Sequence, residues 1–589
     1  MTVTPETTDD DGSEFTAGTD DDVVEAPVYD PSKPWYSSIQ PRVFYPAMGV
    51  ILLFVSATMI APVTMEEAIG SIQDSIVSGF SWYYAVLVFA FVVFALWVGL
   101  SHHGDVKLST DDEKPEFRLL TWLAMLFAAG MGIGLVFWGA AEPLHHLAGI
   151  PNRSSGVADV SGQGLQDSLV WTFLHWGLHP WAIYVVVGLA IAYAVHVKNK
   201  PISIRWTLQP LLGNRVKGWI GDVIDVIAIV GTVFGVATSL GLGVIQIAGG
   251  LSFLDIVSEP SDMLMVILIG AITGLAIFSV VTGVKKGMKW LSNINMVMAV
   301  ALMLFVFILG PTLFLLREYI QGIGAYFQSF LQVSFNTSAL SGTEGLEWQG
   351  WWTAFYWGWW ISWAPFVGIF IARISRGRTV REFVMGVLLV PSMFSFLWFT
   401  VLGGGAMYKE VYGDGGIIDF DAEIPVSEDL SLFQFLADFP GGAVVSAIAV
   451  LLIVMFFVTS SDSGSLVVDM LGSGGMTEPP TWSRVLWAVL EGAVAIALLL
   501  AGGLMALRGV AISIALPFSV VMILMAVATL KQLKAERTKT LRIQRRMVRE
   551  QLARHVSQTL IEDGLIDPPD GEPTATSSRS GRGRRRRRT

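Results

Sequence analysis

Between residues 351 and 366 the chain reads Trp-Trp-Thr-Ala-Phe-Tyr-Trp-Gly-Trp-Trp-Ile-Ser-Trp-Ala-Pro-Phe, with six tryptophans inside thirteen residues. Trp359, Trp360 and Trp363 are spaced i, i+1, i+4, so a helix carries Trp363 on the side of both others. Indole faces attract cations that cannot donate hydrogen bonds. Each well-placed ring contributes roughly 0.5–2 kcal/mol, and several make a cage for a quaternary ammonium. Tryptophan also gathers at membrane–water boundaries, but a belt needs one or two rings per level, and these span more than three turns. Gly358 and Pro365 weaken the helix around the cluster. A second aromatic group, Trp176, Trp181 and Tyr184, lies among His175, His179 and Pro180.

Three further stretches could complete a binding site. Ala128-Ala129-Gly130-Met131-Gly132-Ile133-Gly134 sets glycine at every second position. Glycine costs about 1 kcal/mol in a helix interior, so three together invite unwinding, and freed N–H groups could meet an anion. The same small residues would also serve close helix packing. No Asp or Glu stands in this motif, which suits a substrate bringing its own carboxylate. In Phe456-Phe457-Val458-Thr459-Ser460-Ser461-Asp462-Ser463, adjacent hydroxyls could ligate Na⁺ with freed carbonyls, or back-bond to their own helix. Thr232, Thr238 and Ser239 form a weaker second set. Glu491 falls inside an apolar run, where a carboxylate is a functional candidate and leaves proton coupling open.

The elements that must position these residues are membrane spans. The chain of 589 residues is 53% hydrophobic and 15% charged, with mean hydropathy +0.58. Those values exclude an ordinary soluble globule. The absence of cysteine excludes disulfides and thiolate chemistry, and the histidines form no metal-ligand pattern. An acidic opening (Asp9 to Asp22) does not resemble a signal peptide. Apolar runs long enough to cross a ~30 Å hydrocarbon core fall near 43–62, 80–100, 119–139, 168–196, 218–248, 262–282, 291–316, 350–372, 383–403, 441–470, 482–503 and 509–530.

Twelve spans result. Lys and Arg crowd alternate loops, while the intervening ones hold only Arg153, Arg317, Lys409 and Arg508, so both termini are expected in the cytoplasm. Residues 1–42 read as an acidic cytoplasmic tail, and 317–349 as an amphipathic surface helix and loop, with Tyr319, Ile320, Ile323, Tyr326, Phe327 and Phe330 at helical spacing. Residues 531–589 form a basic tail suited to anionic membrane lipids. No nucleophile–base set points to an enzyme, and nothing points to nucleic acid.

The run Trp352-Thr353-Ala354-Phe355-Tyr356-Trp357-Gly358-Trp359-Trp360, the run Gly283-Val284-Lys285-Lys286-Gly287-Met288-Lys289-Trp290-Leu291-Ser292-Asn293 and the alternating glycines resemble the betaine/carnitine/choline transporter family over roughly residues 40–530. The resemblance implies an all-α, LeuT-like membrane fold. Two N-terminal helices (43–118) precede two inverted five-helix repeats, spans 3–7 (119–316) and spans 8–12 (350–530), in a homotrimer at the cell membrane. It implies Na⁺-coupled symport of glycine betaine by alternating access, activated by hyperosmotic stress, with Na⁺ as coupling ion and no other cofactor. Carried over, the ammonium cage is Trp176, Trp181, Tyr184, Trp359, Trp360 and Trp363, and the carboxylate faces the backbone of Gly130, Met131, Gly132, Ile133 and Gly134. One sodium falls to Ala128, Met131, Phe456, Thr459 and Ser460, and a second to Thr232, Thr238 and Phe366. Choline-type members carry Asp at the position of Gly134, which favours betaine here. A proton-coupled choline or carnitine carrier or exchanger and an osmotically gated channel are the alternatives.

Overall fold

The computed structural model describes residues 24, 26–109, 113–130, 132–149, 159–282, 285–422, 424–563 and 565–566, with only the backbone for 127–130, 285–290 and 540. The acidic tail from Asp9 to Asp22, Met131, Arg153, Gly283, Val284 and the arginine run at 584–588 lie outside the described residues. The chain divides into two units, 1–532 and 533–589.

The first unit is built from helices, and among the described residues the sole β pairing is an isolated bridge between Lys107 and Thr379. α1 (Pro41–Ile60) and α2 (Pro62–Leu100) open it. Next come α3 (Leu119–Gly130), α4 (Ile133–Ala148), α5 (Gly162–Trp176) and α6 (Leu178–Ala192). They are followed by α7 (Trp219–Phe253), α8 (Asp262–Thr282), α9 (Lys285–Leu309) and α10 (Thr312–Ser334). The second half holds α11 (Gly342–Trp351), α12 (Thr353–Ile374), α13 (Val380–Phe399), α14 (Gly405–Tyr412) and α15 (Ser431–Ala437). α16 (Gly442–Gly472), α17 (Thr481–Leu500) and the part of α18 (Gly503–Glu562) up to residue 532 complete it.

Among the described residues, eleven helical stretches are long and apolar enough to cross a membrane. The expected third span is not among them. It is cut in two between Gly130 and Ile133, with Gly132 in extended backbone (φ −150, ψ −174), so neither half reaches spanning length alone. The interruption expected around the tryptophan cluster falls elsewhere than at Gly358 or Pro365. α12 runs through both, and the chain breaks at Trp352 (φ −122, ψ −85). Gly358 instead permits close approach, since a methyl group there would stand 2.7 Å from Ile512 Cα.

Two helices run into π-helical turns. A π-helical turn, Tyr193–Val197, follows α6, and another, Thr400–Gly404, joins α13 to α14. Such turns mark places where regular pairing gives way to a local requirement. α7 and α16 are long, 35 and 31 residues, and pack extensively on each other, as α6 does on α12. This packing defines the centre. The apolar window of α11–α12 is 89% buried, whereas those of α1, α8 and α9 are 28% buried and leave apolar faces for lipid.

Two boundaries differ from expectation. α2 begins at Pro62 rather than near 80, because Glu66, Glu67 and Asp74 interrupt the apolar pattern without interrupting a helix that proline opens. Its 39 residues extend about 58 Å, well beyond a hydrocarbon core. Arg508, read as a loop charge, lies inside α18. In the second unit the chain is helical through Glu562, with Arg542, Arg545, Arg546, Arg549 and Arg554 exposed and Arg546 paired with Glu550 at 2.8 Å.

Candidate functional site

Three helices bring the aromatic groups together. Trp359 and Trp360 of α12 stack at 4.5 Å between ring centroids, tilted by 15°. Trp176 at the end of α5 meets Trp360 edge-on at 4.9 Å and Trp359 at 6.1 Å. Tyr184 of α6 approaches Trp360 at 6.5 Å and Trp181 at 5.3 Å. Gly177, where α5 ends and α6 begins, sets this geometry. A side chain there would strike Phe173 O at 2.5 Å and Phe396 Cε1 at 2.6 Å. All six cage candidates are buried. The hydroxyl of Tyr184 and the indole nitrogen of Trp363 are buried without a hydrogen-bond partner, which an occupying ligand or water would remedy.

The glycine run packs directly on this cluster. A methyl group on Gly134 would overlap Trp359 Cη2 and stand 3.1 Å from Trp176 Cη2, and one on Gly132 would stand 3.6 Å from Trp363 Cη2. The N-terminus of α4, with its unpaired backbone N–H groups and partial positive charge, therefore lies beside the rings. A place for a cation and a place for an anion adjoin. Of Ala128 and Gly130 only the helical backbone is described.

A cavity of about 130 Å³ lies between Trp363, the one cage candidate that lines it, and the ion candidates. Trp363, Phe366, Phe456, Thr459 and Ser460 all line it, with Asn295 and Asp462. Thr459 Oγ1 bonds back to the carbonyls of Met455 (3.0 Å) and Phe456 (3.1 Å) and accepts from Asn295 Nδ2 at 3.0 Å. Asp462 pairs with Arg484. Phe366 thus shares a wall with the first sodium set. Thr232 and Thr238 are buried along α7, bonded to the carbonyls of Ala228 (2.7 Å) and Phe234 (2.9 Å), while Ser239 accepts from Trp359 Nε1 at 3.2 Å. Glu491 is fully buried, with Ser461 Oγ 3.4 Å from Oε2 and no partner for Oε1.

Sequence reasoning missed two buried charges. Glu142 of α4 accepts from Trp176 Nε1 at 2.7 Å and Tyr356 Oη at 2.5 Å through one oxygen. Its other oxygen meets His175 Nδ1 at 2.7 Å and His146 Nε2 at 3.3 Å. Ligand-type atoms of Glu142, His146 and His175 lie within 4.8 Å of one another, making them the metal-capable group among the described residues. Arg508 is fully buried and its three guanidinium nitrogens make no hydrogen bond. It lies over Trp351 (4.1 Å), Trp138 (5.3 Å), Phe355 (5.5 Å) and Trp352 (5.8 Å), with Glu428 at 3.7 Å. Burial alone would raise the Glu428 carboxyl, but bonding to His145 and the charges of His145 and Arg508 hold it below the usual range. Local sequence offers no sign of either cluster.

Residues 42–538 match the family described as "BCCT, betaine/carnitine/choline family transporter". An uncharacterized transporter of Mycobacterium tuberculosis is 52% identical over 498 residues, covering 84% of this chain and 82% of that one. The glycine betaine transporter OpuD of Bacillus subtilis is 44% identical over 495 residues, covering 84% and 94%. The glycine betaine/proline/choline transporter of Vibrio parahaemolyticus is 42% identical over 518 residues, covering 85% and 92%.

Proposed function

The chain belongs to the betaine/carnitine/choline transporter family, and on that premise we propose that it is a Na⁺-coupled symporter carrying glycine betaine into the cell by alternating access. The observation that carries this reading is the junction of the ring cluster with the start of α4. Trimethylammonium fits against Trp176, Trp359, Trp360 and Tyr184, and the carboxylate fits the N–H groups beside Gly132 and Gly134. Two alternatives share the fold, a carrier of purely cationic substrates and a channel. Against the first, this chain has no acidic group in the glycine run, and broken helices around a buried cage favour alternating access over a pore.

Coupling to Na⁺ rests on Thr459, Ser460 and Phe456 sharing a cavity with Trp363, so that ion and substrate stabilise the same helix arrangement. Glu491, buried beside Ser461 with one oxygen unpartnered, supports a second reading in which protons drive uptake. The remaining parts of the proposal are a homotrimer with both termini in the cytoplasm, and a basic tail that answers hyperosmotic stress through anionic lipid. The test is glycine betaine uptake into proteoliposomes with an inward Na⁺ gradient or an inward proton gradient. The proposal requires concentrative uptake with the first and none with the second alone.

A further inference from the structure

Glu142 has four hydrogen-bonding neighbours and no ion pair with Lys or Arg among the described residues. A carboxylate only accepts, and indole N–H and phenol O–H donate to it, so the ionised form satisfies these contacts. Two donors to one oxygen belong to the ring cluster. Trp176 is a wall of the cage, and Tyr356 lies behind it, 5.8 Å from Trp360 and 6.2 Å from Trp359. The other oxygen meets His175, whose Nε2 lies 3.1 Å from Thr353 Oγ1. One carboxylate therefore ties α4, which begins at the glycine run, to α5 and α12, which bring the rings.

The tether has an electrostatic consequence besides a geometric one. Attraction of a cation to a ring face is electrostatic. An indole or phenol donating to an anion is polarised toward a more negative face, and in a water-poor interior the anion's field reaches past the ring. We propose that Glu142 is a positioning and specificity-determining residue: it fixes Trp176 and Tyr356 and makes the cage prefer a cationic head group over a neutral one of the same shape. This inference rests on the cage reading given above.

Two ligands separate the effects. Glycine betaine and 3,3-dimethylbutyrate share shape and carboxylate, but the second carries a neutral tert-butyl group where the first carries trimethylammonium. Their affinities are read by tryptophan fluorescence titration of the purified full-length protein in Na⁺ buffer. Glu142→Gln keeps an acceptor for Trp176 and Tyr356 and removes the charge. It is expected to weaken glycine betaine on the order of fivefold, the scale of one ring's contribution, while leaving 3,3-dimethylbutyrate within about twofold. Glu142→Ala frees the rings and weakens both. Should Glu142→Gln not fold, Glu142→Asp keeps the charge and must preserve the ratio of the two affinities, which Glu142→Ala must lose. Glycine betaine binding unchanged in Glu142→Gln, or an equal loss for both ligands, overturns the inference. If the unmodified protein binds no glycine betaine, it is the cage reading that fails.

Discussion

Gly134→Ala adds one methyl group at the point where the glycine run meets the rings. That carbon would overlap Trp359 Cη2 and stand 3.1 Å from Trp176 Cη2 and 3.2 Å from Trp359 Cζ2. Relief requires the Trp359 indole to withdraw by on the order of 1 Å to ordinary contact distance. Withdrawal is opposed on the far side, because Trp359 stacks on Trp360 at 4.5 Å and donates to Ser239 at 3.2 Å. Overpacking of this kind costs about 1–3 kcal/mol, and a ring displaced from the cage forfeits part of its roughly 0.5–2 kcal/mol for a cation. A loss of about 1.4 kcal/mol is tenfold in affinity, so glycine betaine binding should weaken about tenfold. Gly132→Ala is the internal control. Its methyl group would sit 3.6 Å from Trp363, an ordinary contact, so its effect should stay within about threefold. Both are read by fluorescence titration of protein with an unchanged melting profile. Wild-type affinity in Gly134→Ala, or a larger loss in Gly132→Ala, would refute the packing of the glycine run on the cage.

Gly134→Asp brings the same overlap, so its charge must be judged against Gly134→Asn; the aspartate should bind glycine betaine more weakly than the asparagine and choline more tightly. Trp360→Leu removes the ring that Trp176, Tyr184 and Trp359 all approach and should weaken glycine betaine by ~0.5–2 kcal/mol in the same titration. Thr459→Ala combined with Ser460→Ala should raise the Na⁺ concentration for half-maximal uptake, while Glu491→Gln should leave Na⁺ dependence intact; the reverse pattern supports proton coupling. Burial pushes Glu318 of α10 up to about 7, so the folded state holds a proton that the unfolded state releases near its ordinary 4.5. Its contribution is then fully present below that value and is lost as pH rises toward 7. Melting temperature should fall across that window, and Glu318→Gln should flatten the fall. Deleting residues 535–589 should leave binding intact and flatten uptake against osmolality.

Hydropathy alone located most of the long apolar helices, because such runs have little freedom in a solvent that forbids unpaired backbone. The break in the third span was legible from Gly130, Gly132 and Gly134, which carry a helix-propensity cost in their own types. The break at Trp352 was not, since tryptophan has no such cost and tertiary packing sets its backbone. Pro365, by contrast, reads as a breaker yet sits inside α12. Glu142 was illegible because three of its four partners lie 33, 34 and 214 positions away. Arg508 likewise depends on rings between positions 138 and 355. A charge without a partner nearby in sequence looks like a loop charge until the fold supplies one.

The central claim is that one site recognises both ends of a zwitterion. The direct measurement is equilibrium binding of glycine betaine, choline and 3,3-dimethylbutyrate to the purified protein in Na⁺ buffer. Choline lacks the carboxylate, and 3,3-dimethylbutyrate lacks the positive charge. With the rings and the start of α4 each contributing more than about 1.4 kcal/mol, both analogues should bind at least tenfold more weakly than glycine betaine. Choline binding as tightly as glycine betaine would contradict the role of the glycine run, and 3,3-dimethylbutyrate doing so would contradict the cage.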